Sequence, residues 1–227
     1  MKLLIVEDNS ELAESILAYL RNENFVCEHA ATYALASEKV NLYEYDVVIL
    51  DLGLPDASGF GIIEELKKTA SKTGILIVSA KNALEDKLLG LEMGADDYIT
   101  KPFHLAELNA RIRSLIRRNH FGGKQQIQIK NMLIDLQLQI VKVEDQELSL
   151  TKKEYELLLY FVYNRNRILT KENIAEHLWD DNIDLADNFD FIYTHIKNLR
   201  KKILNAGGTD QIKSVYGMGY RFVSDEV

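Results

Sequence analysis

Cysteine is almost absent from this sequence, and its scarcity limits the chemistry available to the protein. The 227 residues include one cysteine, Cys27, so no disulfide can form within the chain. Cys27 lies in the strand-like segment FVCEHA. We therefore predict that it is a small buried apolar residue rather than a redox or metal-binding group.

Long apolar runs are also missing. No segment approaches the ~20 apolar residues that a membrane span requires. The opening segment MKLLIVED reaches an acid after a short apolar run, which is too short for the core of a secretory signal. These absences predict a cytoplasmic protein with no membrane partner.

An excess of positive charge is missing as well. The chain carries 27 basic and 35 acidic residues, a formal net charge of -8, which argues against a general affinity for polyanions. The charge is nevertheless segregated, because the segment from His195 to Arg221 holds six lysines and arginines and only one acid, Asp210. A local basic patch is therefore expected near the C-terminus.

The order of apolar patterns predicts two domains. Before Asn119, the short apolar segments LLIV, VCEHA, VVIL, ILIV and DYIT alternate with helical patterns. The predicted helices are Glu11 to Arg21, Leu35 to Val40, Gly61 to Lys68, Leu84 to Met93 and Leu105 to Arg117. This alternation is typical of an α/β domain, here (βα)5, with helices on both faces of a parallel sheet.

After this domain the pattern changes. The segment RRNHFGGKQQ has no periodicity and contains two adjacent glycines, which predicts a flexible joint. Strand patterns (IQIK, MLIDLQLQIVKV, ELSL) then precede three helical patterns and two short strands, IKSV and YRFV. Strands grouped apart from helices indicate an α+β domain. We assign residues 1–118 to the first domain, 119–125 to a linker and 126–227 to the second domain.

Polar residues follow four of the predicted parallel strands at the points where those strands end. They are Glu7, Asp8, Asp51, Ser79 and Lys101. In a doubly wound sheet of order 2-1-3-4-5, these strand ends border the crevice where ligands bind. Singly, Asp8 is equally consistent with a helix cap, Ser79 with a turn and Lys101 with a solvated charge. Their coincidence at four strand ends favours a functional site.

The three acids predict a metal-assisted phosphoryl site. Gathering Glu7, Asp8 and Asp51 is unfavourable without a cation, and a set of oxygen ligands suits Mg2+, which also takes phosphate oxygens. An aspartate carboxylate can attack phosphorus to form an acyl phosphate. Mg2+ and the Lys101 ammonium would then offset the charge of the transferring group.

These residues closely resemble the motif of a bacterial response-regulator receiver domain. The resemblance implies a flavodoxin-like fold, phosphorylation of Asp51 by a sensor histidine kinase, and Mg2+ held by Asp8, Asp51 and the Gly53 carbonyl, with Glu7 behind them. It also implies phosphate-binding and switch roles for four residues: Ser79, Ala80, Lys101 and Tyr98. Gly53 departs from the bulkier residue common at this position. Because the side chain there tunes the lifetime of the phosphate, that lifetime is left open.

Charged residues near the fifth helix predict a protein interface. Glu107, Arg111 and Arg118 fall on one face of this helix, and Lys87, Asp96 and Asp97 lie upstream. A solvated face is the simpler interpretation, since each exposed pair contributes only ~0.2 to 1 kcal/mol. The set resembles the dimer face of the OmpR/PhoB subfamily. The resemblance implies that phosphorylation draws Ser79 inward, that Tyr98 follows, and that a homodimer forms.

The basic patch coincides with the third helical pattern of the second domain. Ile192, Ile196, Leu199 and Ile203 form a buried stripe at helical spacing. Tyr193, Thr194, Lys197, Asn198 and Lys201 share the opposite face. A solvated amphipathic helix would show the same pattern. Its place as the third helix, its dense basic run and the glycine-rich hairpin after it favour DNA binding instead.

The segments HIKNLRKKI and VYGMGYRF resemble the winged-helix DNA-binding domain of OmpR/PhoB regulators. The resemblance implies base contacts by Tyr193, Thr194, Lys197 and Asn198, and phosphate contacts by His195, Arg200, Lys201 and Lys202. The wing would contribute Lys213, Tyr216 and Arg221. Two positions depart from the family. Tyr193 replaces a common aspartate, which leaves the base preference open, and Tyr216 replaces the usual wing arginine, which leaves minor-groove insertion open.

Together these features predict a DNA-binding transcriptional response regulator that binds double-stranded promoter DNA and is not a metabolic enzyme. The acidic loop at 180–188 makes RNA polymerase a further candidate partner by resemblance. One alternative is a constitutive DNA-binding regulator whose receiver serves only as a dimerisation scaffold. Another is a haloacid-dehalogenase-type phosphatase, but its chemistry needs an acid two residues after the nucleophile, where this chain has Gly53. The cognate kinase, its stimulus, the operator and the sign of regulation are not encoded in any recognisable motif.

Overall fold

The computed structural model divides the chain into two units, Met1–Gly123 and Lys124–Val227. The described residues are 1–23, 25–68, 72–80, 84–178 and 190–224. Within these ranges no helix has the length and apolar character needed to cross a lipid bilayer.

The first unit is built on five strands, which are β1 (Lys2–Val6), β2 (Val26–Ala30), β3 (Val47–Leu50), β4 (Gly74–Ser79) and β5 (Asp97–Thr100). Its helices are α1 (Ser10–Asn22), α2 (Tyr33–Leu42), α3 (Phe60–Lys68), α4 (Leu84–Glu92) and α5 (Leu105–Phe121). The strands pair in parallel in the order β2-β1-β3-β4-β5. This confirms the predicted flavodoxin-like α/β fold and its strand order.

Helices bury both faces of this sheet. On one face, Ile5 and Ile49 pack with Ile112 of α5. On the other face, Leu4 and Val48 pack with residues of α2 and α3. Strands covered on both faces have no polar side to alternate with, which explains the continuous apolar segments in the sequence. Cys27 lies in the first of these cores and is buried, as predicted.

Helix α5 continues beyond its predicted end, into the segment that we assigned to the linker. It includes Asn119 and His120 and ends at Phe121, followed by the capping residue Gly122, which adopts a left-handed conformation with φ 57°. The Asn119 amide donates to the Lys72 carbonyl at 3.3 Å, and His120 Nε2 lies 3.1 Å from an Asp46 carboxylate oxygen. These partners come from distant segments, so local sequence does not reveal that the helix continues.

The second unit begins with an antiparallel sheet of four strands, β6 (Gln126–Ile129), β7 (Met132–Asp135), β8 (Ile140–Val143) and β9 (Gln146–Glu147). Three helices follow, α6 (Lys152–Tyr163), α7 (Lys171–Leu178) and α8 (Asp190–Asn205). A second sheet contains β10 (Ile168–Leu169), β11 (Ile212–Val215) and β12 (Gly219–Phe222), in the order β10-β12-β11. This is the expected winged-helix arrangement.

The predicted strand MLIDLQLQIVKV is in fact two strands, β7 and β8, joined by a tight turn. The Asp135 carboxylate makes the turn by accepting the backbone N–H groups of Gln137 and Leu138, and Gln139 adopts a positive φ of 57°. The sequence pattern missed this turn because the segment contains no glycine or proline. The predicted strand ELSL was also too long, since β9 ends at Glu147.

A buried ion pair lies under α2 in the first unit. Lys2 Nζ lies 2.7 Å from Glu28 Oε1, and both side chains are almost fully buried. Glu28 Oε2 also accepts hydrogen bonds from Lys39 at 2.6 Å and from the Tyr45 hydroxyl at 2.7 Å. Burial alone raises the pKa of Glu28, but the hydrogen bonds from Lys2, Lys39 and Tyr45 outweigh it and lower the pKa to about 2.

We expect Glu28→Gln to destabilise the first unit by about 3 to 5 kcal/mol at pH 7, because it leaves the buried Lys2 ammonium without an anionic partner. Denaturant unfolding followed by circular dichroism measures this. The folded pKa of Glu28 lies below the unfolded value of about 4.3, so the carboxylate stabilises the fold above that pH. The advantage over Glu28→Gln should shrink as the pH falls from there towards 2. The matched control is Glu38→Gln, on the exposed face of α2. Equal unfolding free energies for the two variants would contradict the assignment.

Candidate functional site

The carboxyl edge of the parallel sheet brings together the polar residues predicted to form a site. Glu7 and Asp8 follow β1, Asp51 follows β3, Ser79 ends β4 and Lys101 follows β5. Parallel strands place all of these ends at one edge. The Lys101–Pro102 peptide bond is cis.

Lys101 connects two of the three acids of this edge, Asp51 and Glu7. Its Nζ donates to Asp51 Oδ2 at 2.5 Å and to the two Glu7 carboxylate oxygens at 2.7 and 2.8 Å. Burial lowers the pKa of Lys101, but the hydrogen bonds that it donates to the carboxylates of Asp51 and Glu7 raise the pKa above its usual value. At Glu7, burial raises the pKa and outweighs the opposing effect of Lys101. The Lys101 ammonium has two anionic partners, whereas Glu7 shares one cation with Asp51. The ion pairs therefore stabilise the charged form of Lys101 more than the charged form of Glu7.

Backbone contacts hold Asp51 in place. Its Oδ1 accepts the Gly53 N–H at 2.9 Å. A Cβ on Gly59 would lie 2.5 Å from the Asp51 carbonyl oxygen, so the chain after β3 returns too closely to accommodate a side chain at position 59. Sequence reasoning did not identify the role of Gly59.

The acids of this edge fit a divalent cation. Glu7, Asp8 and Asp51 each offer a carboxylate oxygen, and these atoms lie within 4.8 Å of one another. Asp8 is exposed, whereas Lys101 occupies both oxygens of Glu7. The donor set is therefore oxygen only, with the Asp8 carboxylate open to solvent, which suits Mg2+ better than a softer metal. His29 was also missed from sequence; its Nε2 lies 2.8 Å from the Glu7 carbonyl oxygen and helps to fix the turn after β1.

The predicted switch residues contact each other. Ser79 is buried, and the next residue, Ala80, is exposed. Burial raises the pKa of the half-buried Tyr98 phenol, while a hydrogen bond with Ser79 acts in the opposite direction. Lys87 of α4 lies over the Tyr98 ring, with Nζ 5.8 Å from the centroid. A displacement of Ser79 would therefore change the hydrogen bond that it shares with Tyr98.

The charged residues of the predicted dimer face are partly paired within one chain. Arg111 donates to both Asp97 oxygens at 2.9 and 3.1 Å and to Glu107. Asp96 instead accepts the backbone N–H of Ile75 at 2.7 Å. Arg118 is exposed on the last turns of α5. These ion pairs leave fewer charges for a second copy than the sequence pattern suggested.

An apolar stripe on α4 accompanies this face and was missed from sequence. Leu84, Leu88 and Leu91 occupy positions i, i+4 and i+7 and are 65, 49 and 45 % exposed. Residues at this spacing share one face of a helix. Because our sequence reasoning assigned Leu84 to Met93 only as a helix of the α/β fold, the exposure of these leucines was not anticipated.

Helix α8 presents the predicted polar face to solvent. Ile192, Ile196, Leu199 and Ile203 are buried, which confirms the predicted stripe. The opposite face leaves five residues exposed, Tyr193, Thr194, Lys197, Asn198 and Lys201. His195 is half-buried. The helix therefore offers a continuous polar surface.

Three of the predicted DNA-contacting cations make ion pairs within the second unit. Lys202 Nζ lies 2.6 Å from Glu154 Oε2 and donates to the Ser149 carbonyl at 2.8 Å. Glu154 also completes the predicted capping box with Thr151 at the start of α6. Arg200 forms a two-bond pair with Asp210 at 2.6 and 3.1 Å, and Lys213 lies 3.5 Å from the same carboxylate.

The wing is a hairpin of β11 and β12 whose tip is apolar. Tyr216 is fully exposed and Met218 is 57 % exposed. Arg221 is exposed and lies opposite Lys213 in the register of the hairpin. A Cβ on Gly219 would lie 2.1 Å from the Leu169 carbonyl oxygen, so only glycine allows β12 to approach β10 here. The loop at 180–188, predicted to contact RNA polymerase, lies outside the described residues.

The fold and the two sites define a phosphoacceptor receiver domain joined to a winged-helix DNA-binding domain. Residues 3–113 match the family described as "Response regulator receiver domain", and residues 145–222 match "Transcriptional regulatory protein, C terminal". The chain belongs to the OmpR/PhoB family of two-component response regulators.

Curated relatives and solved structures agree with this assignment. The transcriptional regulatory protein PmrA of Pectobacterium parmentieri is 38% identical over 226 residues, covering 100% of this chain and 99% of the relative. The transcriptional regulatory protein BasR of Escherichia coli K12 is 34% identical, with 100% and 99% covered. A CheY-like receiver domain protein from Methanospirillum hungatei JF-1 aligns with a TM-score of 0.52 at 27% identity, covering 54% of this chain and 98% of that structure.

The family identifies the protein's role. It is a phosphorylation-dependent, DNA-binding transcriptional regulator of a two-component system, and its receiver implies a sensor kinase as partner. The family consists of transcription regulators rather than enzymes. The phosphatase and scaffold alternatives are not favoured.

Lys201 and Lys202 provide a test of which cations serve DNA. We expect Lys201→Ala to weaken binding similarly for all DNA sequences and to reduce the slope of log affinity against log salt by about 1. Lys202→Ala should leave that slope unchanged but lower the unfolding free energy by about 1 to 3 kcal/mol, since it leaves the buried Glu154 carboxylate without its cation. Fluorescence anisotropy at several salt concentrations and denaturant unfolding measure the two effects. A reduced salt slope in Lys202→Ala would contradict this division.

Proposed function

We propose that Asp51 receives the phosphoryl group from the sensor kinase. An Asp51 carboxylate oxygen attacks the phosphorus of a phosphohistidine, the P–N bond breaks, and the pair of electrons leaves with the imidazole nitrogen. The supporting observation is the Lys101 ammonium, which lies 2.5 Å from Asp51 Oδ2 and is positioned to contact an oxygen of the arriving group. Its raised pKa keeps it charged at neutral pH.

Asp8, Asp51 and the carbonyl of Gly53 are the residues we propose to hold Mg2+. When bound, Mg2+ would neutralise charge on the phosphoryl oxygens. Glu7 has a different role in this proposal. Because both of its oxygens accept from Lys101, it orients the ammonium and supports the site from behind.

We expect the intact chain, incubated with acetyl phosphate and Mg2+, to gain one phosphoryl group, located by mass spectrometry of fragments at Asp51. Asp51→Asn removes the nucleophile and should gain none. Asp8→Asn should slow the reaction at a fixed Mg2+ concentration, because it removes the open carboxylate. Asp97→Asn, an acid of β5 paired with Arg111, is the control and should react like wild type. Modification of another residue, or none at all, would overturn the proposal.

Phosphorylation is proposed to act through Ser79 and Tyr98 on a dimer face formed by α4, β5 and α5. The contact between these side chains supplies the first step. The exposed leucines of α4 supply apolar area, and a two-fold axis buries each of them twice. Since Arg111 already pairs with Asp97 and Glu107, we infer that the charged residues set the orientation of the dimer more than its affinity.

The α4 leucines allow a direct test of this face. We expect Leu88→Lys to weaken beryllofluoride-induced self-association by about 10-fold or more, because burying a leucine in each of two copies contributes about 1.5 to 3 kcal/mol per side chain. Leu42→Lys is the control, since Leu42 is a 65 % exposed leucine of α2, away from this face. Sedimentation velocity with and without beryllofluoride measures the effect. Equal self-association of unmodified and beryllofluoride-treated wild type would instead favour the scaffold alternative.

DNA recognition is proposed to centre on the exposed face of α8. Asn198 and Lys197 are the residues best placed to bond base edges in a major groove, since both are exposed and near the middle of the helix. Lys201 follows one turn later and is assigned to phosphate. Arg200 and Lys213 can reach DNA only by sharing or leaving Asp210, so we assign them a secondary role.

A further inference from the structure

The segment between β3 and α3, residues 51–59, folds back on itself, and we call it the acceptor loop. Gly53 and Ser58 form an isolated β-bridge, and the Gly59 N–H donates to the Leu52 carbonyl at 3.2 Å. Leu52 and Leu54 are buried. These contacts fix the base of the loop to the core, while its tip, around Asp56, extends outward.

Asp56 attaches this tip to another helix. Its two carboxylate oxygens accept the backbone N–H groups of Tyr33 at 2.7 Å and Ala34 at 3.0 Å. These are the first two residues of α2, whose third N–H, on Leu35, is accepted by Thr32. A carboxylate is favoured at the start of a helix. The N–H groups of Ala34 and Tyr33 lower the pKa of Asp56, so it is ionised at neutral pH.

Gly53 is the residue of the loop that most needs such an anchor. It is exposed and has no side chain with which to pack. A Cβ at this position would meet only Asp51 Oδ1, at 3.7 Å. Glycine is also the residue with the greatest backbone freedom. The Gly53 N–H is held by Asp51 Oδ1 at 2.9 Å. On the other side of the residue, the direction of its carbonyl depends on the bridge to Ser58 and on the contacts that hold the tip beyond it.

We propose that Asp56 is a positioning residue for the phosphoryl site. By attaching the acceptor loop to the start of α2, it holds the Gly53 carbonyl and the Asp51 carboxylate at the spacing that Mg2+ requires. This inference rests on the metal site proposed above. Asp56 contacts neither the metal nor the phosphoryl group, but it would affect the binding of both by positioning the residues that contact them. Supporting contacts act in this way at metal sites generally.

The competing explanation is that Asp56 only stabilises α2. Thr32 provides the matched comparison, because it caps the same helix from its own segment, where its hydroxyl accepts the Leu35 N–H at 3.3 Å. Asp56→Ala and Thr32→Ala each remove a cap from α2, and only the first releases the loop. Asp56→Asn retains one carbonyl oxygen as acceptor and is the conservative variant.

Mg2+ titration of the intact 227-residue chain, followed by the NMR shift of the Gly53 amide, measures metal affinity without requiring turnover. We expect Asp56→Ala to raise the Mg2+ dissociation constant by about 10-fold, Asp56→Asn to raise it less, and Thr32→Ala to leave it unchanged. Thermal unfolding should show both alanine variants folded and less stable than wild type. If Asp56→Ala does not fold, the comparison of Asp56→Asn with Thr32→Ala decides.

Two results would overturn the inference, and they are distinguishable. If wild type binds Mg2+ and the Asp56 variants bind it equally well, or if Thr32→Ala weakens binding to the same extent, Asp56 is only a helix cap. If wild type itself shows no Mg2+-dependent shift at Gly53 or Asp51, the proposed metal site fails and the positioning role fails with it.

Discussion

The Lys101 ammonium, shared between Asp51 and Glu7, is the interaction on which the receiver depends. Without it, two buried carboxylates would face each other at the end of the sheet with no cation between them. The shared cation offsets both negative charges and holds the Asp51 carboxylate at the edge of the sheet. The parallel sheet makes this possible, because the strands that carry these three residues all end at one edge.

The second unit distributes its cations between folding and binding. Lys202 holds the carboxylate that caps α6, and Arg200 holds Asp210 near the wing. These pairs orient α8 against its neighbours, so that Lys197, Asn198 and Lys201 point to solvent together. The basic residues that cluster in the sequence thus form two groups in the structure, those paired with acids and those exposed on α8. In the part of the chain that the structure describes, the exposed lysines of α8, Lys197 and Lys201, are the cations best placed to exchange counterions for phosphates.

The sequence predicted the α/β sheet and the buried stripe of α8, because those features follow from periodicity. The strand order was predicted from the doubly wound fold class that the alternating pattern indicates. Prediction from sequence failed where a contact with a distant residue determines the local structure. Asn119 and His120 extend α5 through contacts with Lys72 and Asp46, and Asp135 makes a turn that needs no glycine. The site residues themselves were identifiable from strand ends. Their supports, such as Gly59 and Asp56, were not, since each acts on a backbone group that no motif marks.

The two interfaces proposed for this regulator differ in what supplies their energy. On the receiver, Arg111 already satisfies Asp97 and Glu107 within one chain, so forming the same pairs across a dimer would replace rather than add ion pairs. The net gain must come from apolar area, which the exposed leucines of α4 provide. The surface of α8 has the opposite character, with exposed cations and amides and few apolar groups. Dimerisation should therefore be the less salt-sensitive of the two associations, and DNA binding the more sensitive.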